Sequence, residues 1–202
     1  MPSPEPGAST GAPSPADVER WLTDLDLRAV DRGERAGVAS WDLVLDGRRR
    51  FDLRITVILE PSLALICWAQ LAPPINDMFR KSYRKLLRWN DEFPFVKFSV
   101  SEDERPVLAV ELPIAQVRAG EGLDALGLAL ARIVGIADRL LEDTAPWLWI
   151  GGRMPDQSDR VARNLPFLER FDGRLVELAS GADESTTSND APSTPTDAEA
   201  TA

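Results

Sequence analysis

Over residues 76–100 the chain reads NDMFRKSYRKLLRWNDEFPFVKFSV, and this stretch decides the fold. Asn76 is a favourable helix N-cap, and Asp77 places a negative charge at the positive end of the helix dipole. Apolar side chains then recur at helical spacing, opposite a basic face. The apolar positions are Phe79, Tyr83, Leu86 and Leu87, and the basic positions are Arg80, Lys81, Arg84, Lys85 and Arg88. The pattern predicts an amphipathic helix over residues 76–89.

Pro94 ends this helical pattern, and a strand pattern follows. Val96, Phe98 and Val100 alternate with polar residues, which is typical of a half-buried strand. Residues 106–112 form a second strand pattern, and the polar residues 101–105 join the two as a hairpin. The carboxylates of Glu102 and Glu104 are therefore predicted to lie at a hydrated hairpin tip.

Three more strands are predicted upstream of the helix. Residues 41–45 alternate and lead into Asp46-Gly47, a dipeptide that favours a two-residue hairpin turn with positive φ. In the next strand one face is apolar throughout: Phe51, Leu53, Ile55, Val57 and Leu59. Residues 63–71 are apolar on both faces, which predicts a strand that is central or covered on both sides.

Two further helices flank these strands. Ser14-Pro15-Ala16-Asp17 combines an N-cap, a proline at the first helical position and an acid three residues after the cap, so a helix begins here and ends near Leu27. A leucine-rich helix is predicted over residues 121–143, with Gly127 and Gly135 allowing close approach of the sheet and Pro146 ending it. Weaker helical patterns cover residues 158–165 and 167–178.

The element order α-βββ-α-ββ-α indicates an α+β fold with an antiparallel five-stranded sheet and packed helices. Residues 14–150 form the predicted domain, and residues 151–178 a helical extension packed on it. Residues 1–13 and 179–202 have little to bury and are expected to be a disordered arm and a disordered acidic tail.

Charge and composition exclude several function classes. The net charge is −10, but residues 1–16 and 179–202 carry six acids and no base, so the folded part is only mildly acidic. The chain has no histidine and one cysteine, Cys67, which excludes an intrachain disulfide and makes a metal site improbable. No nucleophile motif or phosphate loop is present. We therefore expect a protein that is not an enzyme and has no cofactor and no metal.

Localisation is predicted from two missing signals. No apolar run approaches the ~20 residues of a membrane span. Residues 1–16 lack the basic and apolar regions of a secretory signal. A cytoplasmic protein without membrane contact is expected.

The passage from Tyr83 to Val100 resembles the YbjN family, in which a leucine, asparagine, proline–phenylalanine and lysine–phenylalanine passage links the second helix to the fourth strand. The matching residues here are Leu87, Asn90, Pro94, Phe95, Lys97 and Phe98. The resemblance covers about residues 14–150, and the element order is similar to that of type III secretion chaperones. It implies a chaperone-like fold and a non-enzymatic binding or regulatory role, often linked to sensing or stress. It provides no catalytic residues.

Candidate binding residues lie on two surfaces. The basic face Arg80, Lys81, Arg84, Lys85 and Arg88 either engages an anionic partner or is a solvated helix face. Trp147 and Trp149 either form an aromatic binding surface or pack the chain against the helices. Asn90 is interpreted as a helix cap and Cys67 as a buried, inert thiol.

The function predicted from these features is a chaperone-like or regulatory protein-interaction module. We expect a homodimer that binds an unidentified protein partner, with contacts from the leucine-rich helix and the sheet face of residues 63–71. The alternative is a protein that binds nucleic acid or another anionic ligand through the basic residues 80–88.

Overall fold

The computed structural model describes residues 11–75, 80–117, 120–157 and 159–175, without the side chains of Arg80 and Ile150. The α-helices in these ranges are α1 (Pro15–Asp24), α2 (Arg80–Glu92), α3 (Gly122–Arg139), α4 (Leu141–Leu148) and α5 (Leu165–Phe171). The strands are β1 (Asp31–Arg35), β2 (Val38–Leu45), β3 (Leu53–Glu60), β4 (Ala64–Gln70), β5 (Lys97–Val100) and β6 (Pro106–Pro113). The described residues exclude most of the predicted N-terminal arm, the predicted acidic tail and the predicted N-cap Asn76.

All six strands form one antiparallel sheet in the order β1-β2-β3-β4-β6-β5. The α+β class and the central position of β4 are confirmed, but the predicted count of five strands is wrong. The additional strand is β1, whose five residues are all exposed, so it has no burial pattern to predict it. It pairs with β2 through Ala36 and Gly37, which have φ values of 52° and 82°, as a tight two-residue hairpin turn requires.

The strands on either side of Asp46-Gly47 pair as antiparallel neighbours, as predicted, but the two-residue turn is wrong, because residues 46–52 form a longer loop between β2 and β3. This loop packs on α3, where Asp138 accepts hydrogen bonds from the backbone N–H groups of Arg48, Arg49 and Arg50. A Cβ atom on Gly47 would lie 2.3 Å from Oδ1 of Asp138. The glycine therefore serves a close approach rather than a turn with positive φ.

Helix α2 buries a different stripe from the one predicted. Ser82, Leu86, Trp89 and Phe93 are buried, whereas Leu87 is 68% exposed. The helix also continues past Trp89 to Glu92, so that Phe93 anchors its end in the core. The rings of Trp89 and Phe93 contact Phe98 of β5 with centroids 5.3 and 5.9 Å apart.

The remaining helices confirm one prediction and correct others. The capping box at Ser14 is present, since Ser14 N–H donates to Asp17 and Asp17 N–H donates back to the Ser14 hydroxyl. The leucine-rich helix ends at Arg139, and α4 follows it with Pro146 inside rather than after the helix. At Gly127 the close neighbour is Phe171 of α5, not the sheet.

The core lies between one face of the sheet and the helices. Leu43, Ile55, Cys67 and Leu108 point into it from neighbouring strands, together with the buried stripe of α3. The described helices leave the other face of the sheet open, and its side chains on β2, β3 and β4 are half-buried or exposed except for Ala64. This asymmetry positions the candidate site.

Candidate functional site

The open face of the sheet carries an apolar centre with a polar border. The strand register places Val44, Ile58, Ile66 and Trp68 on this face, all half-buried. Its polar members are Asp42, Arg54, Thr56, Gln70, Lys97 and Glu111. Apolar side chains at the centre of an uncovered sheet are typical of a surface that binds another protein. We call this surface the open face.

One row of cross-strand neighbours crosses the open face from an acid to a base. It runs Asp42, Thr56, Trp68, Ala109, Lys97 over β2, β3, β4, β6 and β5. Asp42 accepts a hydrogen bond of 2.6 Å from the Thr56 hydroxyl, and Lys97 lies 3.3 Å from Glu111. Trp68 is therefore two strands away from a negative charge on one side and two strands away from a positive charge on the other.

Beside Trp68 the open face has a concavity of 330 Å³. Val30 and Val44 give it apolar walls, and Arg54, Thr56 and Gln70 give it polar groups. It is large enough for one or two side chains of a bound protein, and Arg54 supplies an exposed positive charge at its border. This concavity is a recess in the open face that could receive such side chains.

The predicted basic face is solvent-exposed along most of α2. Lys81, Arg84 and Arg88 are exposed, and none forms an ion pair with another residue that the structure describes. Lys85 is instead half-buried and pairs with Asp143 of α4. The side chain of Arg80 lies outside the described part. The role of the four described cations in binding stays a prediction.

The two tryptophans of the predicted aromatic surface lie in different places. Trp147 is half-buried and packs on Trp89, with ring centroids 5.8 Å apart. Trp149 is also half-buried but lines a separate cleft of 200 Å³ with Arg50 and Phe51. The structure therefore does not bring Trp147 and Trp149 together into one surface.

Asn90 has a role that the sequence interpretation missed. Its amide donates to the Phe98 carbonyl at 3.1 Å, and its side-chain oxygen accepts from the Phe98 N–H at 2.7 Å. The side chain thus pairs with the outer edge of β5 as a neighbouring strand would. Its third contact, 3.3 Å to the Leu86 carbonyl, lies within α2, which continues to Glu92, so the helix-cap interpretation is wrong.

A buried polar cluster fastens the chain after α4 to the loop between β2 and β3. Asp46 is fully buried and accepts two hydrogen bonds of 2.7 Å from the Arg163 guanidinium, while Asn164 bonds both backbone groups of Asp46. Burial raises the pKa of Asp46, but the bonds from Arg163 and from the Asp52 N–H outweigh it and hold the pKa at about 2. No pattern in the sequence links Asp46 to Arg163, which lie 117 positions apart.

A second buried charge, Arg50, lies beside this cluster. It donates to the Leu71 carbonyl at 2.5 Å and to the Thr144 hydroxyl at 3.3 Å. Burial lowers the pKa of Arg50 to about 10, so it remains protonated at neutral pH. Both contacts are internal, and Arg50 therefore holds the loop to the core rather than a ligand.

The sequence of this chain matches the model of a known protein family. The model of the YbjN family, whose description reads "Putative bacterial sensory transduction regulator", matches residues 14–143. The chain belongs to the YbjN family. The resemblance predicted from Leu87, Asn90, Pro94, Phe95, Lys97 and Phe98 is thereby confirmed, and the YbjN match includes all six strands and helices α1 to α3. A comparison with curated proteins found no match.

The described residues include neither a metal-binding cluster nor a membrane-spanning helix. Within the described ranges of this YbjN protein, no group of three or more Asp, Glu, Cys or His residues is arranged to hold a metal ion. None of the helices in those ranges has the length and hydrophobicity needed to cross a bilayer. Cys67 is buried, as predicted, and burial raises its pKa to about 12.

Proposed function

We propose that this YbjN protein is a non-enzymatic regulator that binds a protein partner, and that it forms a homodimer through the open face. The observation that carries the proposal is the half-exposed apolar centre of a sheet that helices cover on one side only. Covering Ile58, Ile66 and Trp68 with a second copy removes apolar surface from water, which is the main driving force of association.

The open face is large enough for a dimer. With strands about 4.8 Å apart and about 3.3 Å per residue, it measures roughly 25 by 20 Å, or about 500 Å² in each copy. Two faces together bury about 1,000 Å², the lower bound for a specific interface. The predicted contribution of α3 is smaller, since most of its apolar stripe is buried within the chain.

The row through Trp68 is self-complementary about a two-fold axis along β4. When two open faces meet about this axis, Trp68 opposes Trp68 of the second copy, and Asp42 opposes its Lys97. Each dimer then has two such ion pairs at its border, around an aromatic centre. Opposite charges across an interface fix its register more than they increase its affinity.

The family description and the resemblance to type III secretion chaperones support a regulatory role without chemistry of its own. A symmetric dimer joined by its open faces presents its remaining surfaces twice, which increases avidity for a repeated or dimeric partner.

The test is light scattering coupled to size-exclusion chromatography on the full chain, with circular dichroism to verify folding. We expect a dimer for the native protein and a monomer for Trp68→Arg. The matched control, Leu87→Arg, adds the same charge at a position that is 68% exposed on α2, and remains dimeric. A native protein that is monomeric at 0.5 mM, or a folded dimeric Trp68→Arg variant, contradicts the proposal.

A second candidate function is anion binding, because Lys81, Arg84 and Arg88 are exposed without an ion pair in the described part of the chain. Its test is fluorescence anisotropy with a labelled 20-nucleotide single-stranded DNA. The hypothesis requires binding that weakens steeply with salt and is lost in the double variant Arg84→Glu/Arg88→Glu. Equal binding by native protein and double variant contradicts it.

A further inference from the structure

A groove lies between β6 and α3, beside the part of β6 that extends beyond the start of β5 at Lys97. Its volume is 810 Å³, and its apolar floor is formed by Val110, Leu112, Ala125 and Leu128. These side chains belong to the helix-covered side of the sheet, so the groove is the margin of the core rather than part of the open face. It exists because β6 is eight residues long, whereas β5 has four.

The backbone of β6 has an unpaired edge along this groove. Leu71 N–H donates to the Pro106 carbonyl, and Ile114 N–H donates to the Leu63 carbonyl, so even-numbered residues of β6 face β4. Odd-numbered residues of β6 therefore face β5, where Lys97 pairs with Ala109 and Ser99 pairs with Val107. Glu111 lies beyond the start of β5, and no residue in the described ranges bonds its N–H or C=O.

Phe95 lies two residues before the start of β5 and forms one lip of the groove. Its φ of 62° turns the chain away from β6, and its side chain is 85% exposed. The Arg132 guanidinium, 5.8 Å from the ring centroid, also donates to the Pro94 carbonyl at 3.4 Å and supports this turn. An exposed aromatic ring beside a free strand edge is suited to cover a bound chain.

The charges around the groove favour a cationic ligand. Glu111, Glu121 and Asp124 line it, against Arg132 and Arg174. Asp124 is neutralised by Arg174 at 2.6 Å, whereas Glu121 has no ion pair with any residue that the structure describes. Among the described residues, the carboxylate of Glu111 forms an ion pair with the exposed Lys97 only.

We propose that this groove binds an extended segment of a partner protein as an added strand next to Glu111. Apolar side chains of the segment contact Leu112 and Leu128. The alternate side chains are lysine or arginine and lie next to Glu111. An added antiparallel strand makes two hydrogen bonds to the backbone of Glu111. Backbone bonds then supply affinity, and the alternating side chains supply specificity. The groove floor lies on the helix-covered side of the sheet, and the groove adjoins the open face at Glu111, whose side chain belongs to that face.

The test uses a phage-displayed library of random 12-residue peptides, selected on the full chain, followed by synthesis of the enriched peptides. We expect alternating apolar and basic sequences whose affinity falls at least tenfold on Glu111→Pro, which removes the outward N–H. Proline is tolerated at a strand edge. Because this variant can disturb β6, Glu121→Lys is the second variant, with an expected loss of about threefold, as for an exposed ion pair. Lys81→Glu on α2 is the matched control and leaves binding unchanged.

Amide hydrogen exchange by NMR identifies the occupant. The Glu111 amide exchanges fast in the free full chain and is protected when the peptide binds. An enriched set that is acidic, or that binds Glu111→Pro and Glu121→Lys as well as the native chain, overturns the proposal. Failure to enrich any peptide overturns it too. Protection of Glu111 in the free protein shows another occupant: a second copy if it depends on concentration, and residues 176–202 of the same chain if it does not. A second copy at this edge would leave the Trp68→Arg variant dimeric, whereas residues 176–202 at this edge would leave the Trp68→Arg test unchanged.

Discussion

The guanidinium of Arg163 forms two hydrogen bonds of 2.7 Å with the buried carboxylate of Asp46. The pKa of this carboxyl group is held at about 2, against an ordinary value of 3.8. Its stabilising contribution is therefore complete above about pH 4 and is lost as the pH falls toward 2. The difference corresponds to about 2 kcal/mol of folding free energy.

We expect Asp46→Asn to lower the free energy of unfolding at pH 7 and to flatten its decrease between pH 4 and pH 2. Urea unfolding at several pH values, followed by tryptophan fluorescence, measures both effects. Asp91→Asn, on the exposed side of α2, is the control and should retain the native pH profile. An Asp46→Asn protein with the native acid profile would assign the loss to other carboxylates.

Asp138→Ala should destabilise the protein by about 3 kcal/mol, because three consecutive backbone N–H groups of the loop lose their acceptor. Asp143→Ala removes only an exposed ion pair with Lys85 and should cost less than about 1 kcal/mol. Denaturant unfolding compares the two variants. Equal losses would show that water replaces Asp138 without cost.

Asn90→Ala should cost about 2 kcal/mol, since the backbone of Phe98 loses both of its side-chain partners. The specific readout is the Phe98 amide, whose hydrogen exchange should accelerate more than that of Leu108 on the neighbouring strand. Uniform acceleration of both amides would indicate global destabilisation rather than release of the β5 edge.

Phe95→Gly should leave stability within about 1 kcal/mol of the native protein, because glycine adopts a positive φ without the cost that a side chain imposes. Phe93→Ala, two residues earlier but 2% exposed, should cost about 3–5 kcal/mol. Thermal or urea unfolding of both variants gives the comparison. A large loss for Phe95→Gly would mean that this ring belongs to the core.

The elements that the sequence predicts well are those buried on one side. The alternation of Leu53, Ile55 and Val57 identifies β3 because each of these side chains meets the core and each neighbour faces outward. The capping box at Ser14 is equally local. Family membership follows from the passage around Asn90, although the strand-like pairing of that side chain requires the fold.

The features that sequence reasoning missed depend on distant or exposed residues. Strand β1 has no buried side chain, and its pairing follows from the turn at Ala36 and Gly37. The Asp46-Gly47 turn rule fails because Asp138 and Arg163, far along the chain, hold these residues in another conformation. The groove beside Phe95 arises from unequal strand lengths, which no local pattern specifies.

The single cysteine of the chain, Cys67, lies on the central strand β4 and is fully buried. An alkylating reagent can reach its sulfur only when the helices over the sheet or the strands around it move apart, so the rate of labelling reports the opening of the core. The native fold also presents no second thiol to react. A cysteine introduced on any surface would therefore carry a probe selectively, without replacement of the natural one.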